Sequence, residues 1–221
     1  MISAEELTQA KRFRFVQDQN AFVCAHALTR VMLSALLSRP PRDWEFVAGH
    51  FGRSHLRRGR TSYPVSLSLS HTSGLAACAL SVGVEVGVDV ENCEAARLLT
   101  SNDDWLTGAE AGALRTLASE ARGVAAVKLW TLKEAVTKAT GLGLHQRFGD
   151  VGFTLDPPRF AVRPPACAGH WWLTQTYPTP AHVMAVAAQS NRREAIRIEI
   201  EALSAAKLVA WQHSVTPVAA A

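Results

Sequence analysis

At 221 residues the chain holds one large domain or two smaller ones, domains commonly running to about 100–150 residues. With 48% apolar and 19% charged residues it can bury a core, which excludes a disordered chain. A net charge of +4 and a pI near 9.1 favour acidic partners or phosphorylated ligands without singling out nucleic acid. Cys24, Cys78, Cys93 and Cys167 show no metal-binding spacing and read as small buried apolar residues in a reducing compartment. The first residues form no secretory leader, and the apolar run over 21–37 is broken by His26 and Arg30, so a soluble cytoplasmic protein is expected.

In chain order, a basic-aromatic lead-in over 11–18 precedes a helix over 19–37, which Arg39-Pro40-Pro41 ends. Residues 44–47 read as a short strand, and 49–60, with Arg53, Arg57, Arg58 and Arg60, as an exposed basic loop. Val65-Ser-Leu-Ser-Leu-Ser70 alternates as a half-buried strand does. Strands over 75–82 and 84–91 follow. In the latter, Asp89 and Glu91 share one face, with Val88 and Val90 on the other. Two neighbouring carboxylates repel unless a cation lies between them.

Thr107-Gly-Ala-Glu110 is a capping box opening a helix to about 121. Gly123 separates it from a second helix over 124–140, which Gly141-Leu-Gly143 ends. On that helix Trp130, Glu134 and Lys138 lie along one face. Strands are expected over 151–155, 160–162, 171–177, 183–188 and 196–200, then a short helix over 203–211. Each half reads as a helix followed by strands.

Three stretches carry more than local structure: Leu67-Ser-Leu-Ser-His71, Gly87-Val-Asp-Val-Glu91, and Trp130-Thr-Leu-Lys-Glu134-Ala-Val-Thr-Lys138. Together, and in this order, they resemble the Sfp-type 4'-phosphopantetheinyl transferases. Phe51-Gly52-Arg53 is similar to that family's Phe-Gly-Lys-Pro, with arginine for lysine and Ser54 for proline. Asp18 and Arg30 match a looser N-terminal pattern, and the resemblance covers about residues 11–177.

The resemblance implies an α+β fold, a pseudo-dimer of two similar halves, each a helix packed on a small antiparallel sheet. The halves are expected over 1–95, trimmed at its start relative to the family, and 96–221. The implied reaction moves the phosphopantetheine arm of coenzyme A onto a serine of an acyl, polyketide or peptidyl carrier protein, releasing 3',5'-ADP. Asp89, Glu91 and Glu134 would hold Mg2+, or Mn2+. Glu134, Lys138 and His71 would be catalytic. Arg53, Ser70, His71, Asp89, Lys138, Arg12 and Lys133 would bind the cofactor, Arg53 at its 3'-phosphate. An acidic apo carrier is the expected partner, with no membrane or nucleic acid, and the protein is expected to be a monomer. The competing readings are a nucleic-acid-binding protein using the Arg53 to Arg60 loop and a metal-dependent nucleotide hydrolase. The first leaves Asp89, Glu91 and Glu134 without a role.

Overall fold

The computed structural model describes residues 2–48, 54–57, 64–143, 147–193, 195–204 and 206–208. Two helices of 22 residues dominate it, α2 (Val16–Leu37) and α5 (Ser119–Thr140). A short helix precedes each: α1 (Ala4–Ala10) before α2, and α3 (Ala96–Leu99) with α4 (Gly108–Arg115) before α5. Strands β1 (Phe46–Ala48) and β2 (Ser54–Leu56) form a small ribbon, and β3 (Val65–Thr72) and β4 (Leu75–Val82) an antiparallel pair under α2. Strand β5 (Glu85–Asn92) pairs with β9 (His182–Ser190), and β9 with β8 (His170–Thr179), making the sheet on which α5 lies. Strands β6 (Gly152–Leu155) and β7 (Pro158–Val162) form a hairpin beside it. The fold is α+β, and each unit is a long helix on an antiparallel sheet.

The two units repeat one polar device. Ser3 and Glu6 form a capping box on α1, as Thr107 and Glu110 do on α4. Each box glutamate is buried against a cation of the following long helix: Glu6 on Arg30 at 2.9 Å, Glu110 on Lys133 at 2.8 Å. Arg30 and Lys133 are each the fifteenth residue of their helix, counting from 16 and from 119. Each cation then donates to two backbone carbonyls of the segment that follows its helix, Pro41 and Trp44 for Arg30, Phe148 and Val151 for Lys133. A buried ion is tolerated only when its bonds are satisfied, and here they are.

This device makes the fold acid-sensitive in a defined window. Burial pushes the Glu6 carboxyl up, but the bonds from His26 and the Ser3 amide and the charge of Arg30 outweigh it and hold the group at about 2, against 4.5 for a free glutamate. A depressed folded value gives stability that is present above the unfolded value and lost as pH falls through the folded one. The 2.5-unit difference corresponds to about 3 kcal/mol. Chemical denaturation from pH 5 to pH 2 should therefore cost the parent about 3 kcal/mol more than Glu6→Gln. Equal slopes for the two proteins would show that Glu6 does not carry this term.

Several expected elements differ. Gly123 does not separate two helices; it lies inside α5, where a Cβ would come within 3.1 Å of Ala96 Cβ, so its smallness lets α3 approach. The capping-box helix stops at Arg115. Residues 196–200 form no strand; Ile198 packs on the Val86, Val88 and Val90 cluster without pairing. The described part of the expected last helix is 206–208. The expected division at 95/96 is not where hydrogen bonding changes hands, because β5 belongs to the sheet of the second unit. Helix α2 is long and apolar enough to cross a membrane by composition, but it packs on β3 and β4, with Val31 and Leu33 fully buried.

Candidate active site

The site forms where α5 crosses β5. Gly87 permits this: a Cβ there would stand 1.9 Å from the Ala135 carbonyl oxygen and 2.6 Å from the Ala139 nitrogen. Val86, Val88 and Val90 point the other way, into a core with Met184 and Val186. Asp89 and Glu91 therefore share the α5 side, as the alternation implies, and meet the Glu134 and Lys138 side chains there.

Asp89 is 3% exposed. Its Oδ1 accepts from Lys138 Nζ at 2.6 Å and from Ser70 Oγ at 2.8 Å, and its Oδ2 is buried with no partner. Glu91 accepts from the side chain of Trp130, and Thr72 Oγ1 lies 3.5 Å from its Oε2. Burial first, then the charge of Asp89, pushes the Glu91 carboxyl up to about 7, with Glu134 adding to the push and Lys138 opposing it. Burial and Asp89 likewise raise Glu134. Three carboxylates thus converge on one ammonium. Among the described residues no three such side chains stand close enough together to cage a metal ion as placed. Their chemistry nonetheless fits a hard divalent cation: the donors are oxygens, one is orphaned, and two are driven toward their protonated forms for want of positive charge.

β3 meets β5 through side chains. Ser66, Ser68 and Ser70 accept from the amides of Val86, Val88 and Val90 at 3.1, 3.0 and 3.3 Å. Ser66 and Ser70 donate in turn to Glu85 and Asp89. The serine face expected to be the open side of a half-buried strand is therefore a buried joint between the units. Ser70, expected as a cofactor contact, directs its one donor to Asp89 here.

A cavity of about 900 Å³ opens beside these groups, lined by His71, Glu134, Thr137 and Lys138 and, from the first unit, by His26, Arg30, Arg42, Trp44 and Arg57. His71 lies on it, exposed, with the edges of Phe13 and Phe22 at 6.2 and 6.4 Å. Burial and the Lys138 charge lower its pKa. Lys133, expected as a cofactor contact, is fully buried, with its bonds going to Glu110, Phe148 and Val151. It still bears on the site, since Phe148 packs on Trp130 at 5.1 Å and lines the cavity. Arg12 is exposed and is not among the cavity-lining residues. Arg53 lies outside the described residues, as do Arg58 and Arg60. Arg57 pairs with Glu45 at 2.7 Å. Sequence reasoning missed His26, Arg42 and Trp44 as cavity walls; no local motif marks them.

The sequence model of the 4'-phosphopantetheinyl transferase superfamily matches residues 85–187, the stretch from β5 into β9 that carries the carboxylates. The 4'-phosphopantetheinyl transferase HetI of Nostoc sp. is 29% identical over 187 residues, covering 84% of this chain and 78% of that protein. Both likenesses are to the 4'-phosphopantetheinyl transferase superfamily. A phosphopantetheinyl transferase of Thraustochytrium sp. is 27% identical over 168 residues, 70% of this chain and 58% of that protein. Among solved structures, a holo-(acyl-carrier-protein) synthase from Bacillus anthracis in complex with coenzyme A overlaps at a TM-score of 0.42 and 18% identity, over 48% of this chain and 96% of that one. A Chronobacterium ammoniagenes ACPS-CoA complex overlaps at 0.42 and 13%, over 50% and 98%.

Proposed function

We propose that the protein transfers the 4'-phosphopantetheine arm of coenzyme A to a serine of an apo carrier protein, releasing 3',5'-ADP. The observation that carries this is the meeting of Asp89 and Glu91 with Glu134 and Lys138, which line a cavity of about 900 Å³ shared by both units. In the reaction the serine oxygen bonds to the phosphorus next to the pantetheine arm, and the bond from that phosphorus to the bridging oxygen of the ADP breaks. Glu134, its proton affinity raised by burial and by the Asp89 charge, takes the serine proton. Lys138 and His71 hold phosphate oxygens as they gain charge. Asp89, Glu91 and Glu134 are the residues that would hold Mg2+, or Mn2+. Such an ion would neutralise the pyrophosphate oxygens and stabilise the departing 3',5'-ADP.

The reading takes the protein as a monomer in a cytoplasmic setting, with the cavity lined by both units of the chain. The expected outcome is a phosphopantetheine mass gain on an apo acyl, polyketide or peptidyl carrier, requiring both coenzyme A and divalent metal. Its specific rate should not change on enzyme dilution. A folded protein that binds coenzyme A and modifies no carrier of any of these classes would sink the reading.

A further inference from the structure

Between α1 and α2 the chain runs through Lys11, Arg12, Phe13, Arg14, Phe15 and Val16. Successive amides bond back to Leu7, Gln9 and Ala10, and Gln19 Nε2 donates to the Phe13 carbonyl at 3.0 Å, so the turn is fixed from both sides. Phe13 turns inward against Phe22 and His71. Phe15 and Val16 turn outward, 55% and 66% exposed. Phe15 is also the N-cap of α2, a position where a polar side chain would stabilise the helix, and it makes no capping bond. Arg14 stacks over the Phe15 ring at 5.4 Å. Lys11, Arg12 and Arg14 are exposed, and among the described residues no carboxylate pairs with them. Two bare apolar side chains, accompanied by three exposed cations, thus lie two and three residues beyond Phe13, the ring that meets His71.

We propose that residues 11–16 are the docking surface for the carrier protein, taking an acidic amphipathic segment beside the acceptor serine. This rests on the transferase reading and adds to it the place where the acceptor lands. An acceptor serine must reach His71 and Glu134, so its carrier has to rest on the rim around them. On that rim, Phe15 and Val16 offer the apolar contact, and the three cations select acidic residues around it.

The test is steady-state transfer to an apo peptidyl carrier and an apo acyl carrier protein, with coenzyme A and carrier varied separately. Arg14→Glu combined with Phe15→Ser should raise KM for the carrier roughly ten- to a hundredfold, with KM for coenzyme A unchanged. Arg14→Gln, which removes the charge alone, should move the carrier KM in the same direction by less, and added salt should weaken carrier binding more in the parent than in either variant. The inference is overturned if the carrier KM does not move, or if KM for coenzyme A rises in step with it, which would make the residues cofactor contacts. Altered sedimentation or altered retention on anionic vesicles with the carrier KM unmoved would assign the patch to another copy or to lipid. A parent enzyme that binds coenzyme A but modifies neither carrier overturns the transferase reading itself.

Discussion

Asp89→Asn should lower the transfer rate by about 10²–10³-fold, the range seen when one fixed charge-stabilising group is removed from an active site. Asparagine keeps the size of the side chain and an oxygen able to accept from Ser70 and Lys138, so the joint between β3 and β5 should hold. It places an amide where Oδ2 lies buried without a partner, and it deletes the negative charge that the proposed cation needs. The loss should show as a raised requirement for Mg2+ as well as a lower ceiling, while the denaturation midpoint stays near the parent value. Asp89→Ala is a poorer probe, since it leaves the Ser70 hydroxyl and a half-buried Lys138 ammonium without their acceptor. Near-parent activity of Asp89→Asn at ordinary Mg2+ would remove Asp89 from the site.

Gly87→Ala should be the most damaging added methyl among the described glycines. The added carbon would stand 1.9 Å from the Ala135 carbonyl oxygen, and backbone cannot swing aside as a flexible side chain can. Either α5 lifts off β5 or β5 bends, and both separate Glu134 and Lys138 from Asp89. The expected cost lies in the exceptional range above about 4 kcal/mol. For a chain of this size each kcal/mol shifts the melting point by about 2–4 °C, so a fall of roughly 8–16 °C is expected. A melting point within a degree or two of the parent would mean that the helix does not depend on the missing Cβ.

The site was legible in the sequence to the extent that its chemistry follows local periodicity. Asp89 and Glu91 share a face because strands alternate, and Trp130, Glu134 and Lys138 share one because helices repeat every three to four residues. Long-range choices were not legible. Lys133 is adjacent to Glu134 and carries the same charge as Lys138, but a helix turns about 100° per residue, and the neighbour that receives Lys133 is Glu110, known only once α4 is docked. Nothing in the alternation of β3 says that its serine hydroxyls face another strand. Gly123 looked like a break because a glycine inside a helix costs about 1 kcal/mol, and its compensation, contact with Ala96, lies far away in sequence. One signal was present and unused. Ser3-x-x-Glu6 repeats Thr107-x-x-Glu110, and the two boxes stand 24 and 23 residues before the cations they bind.

The serine joint between the units also acts as a ruler. Along it each hydroxyl meets the amide 20 residues further on, and Ser66 and Ser70 meet the acid 19 further on. That constant offset means β3 and β5 run parallel, and its length is set by β4 and the two turns flanking it. A backbone ladder could slip by two residues and still find partners. This joint cannot, because a slip of two would set Ser68 or Thr72 against Asp89 in place of Ser70, and Gly87 offers no acid to the hydroxyl that moves opposite it. The length of a hairpin on the far side of β3 therefore determines which oxygen reaches Asp89. Evolution can remodel the cavity walls residue by residue, but it can lengthen or shorten residues 73–84 only by dismantling the site.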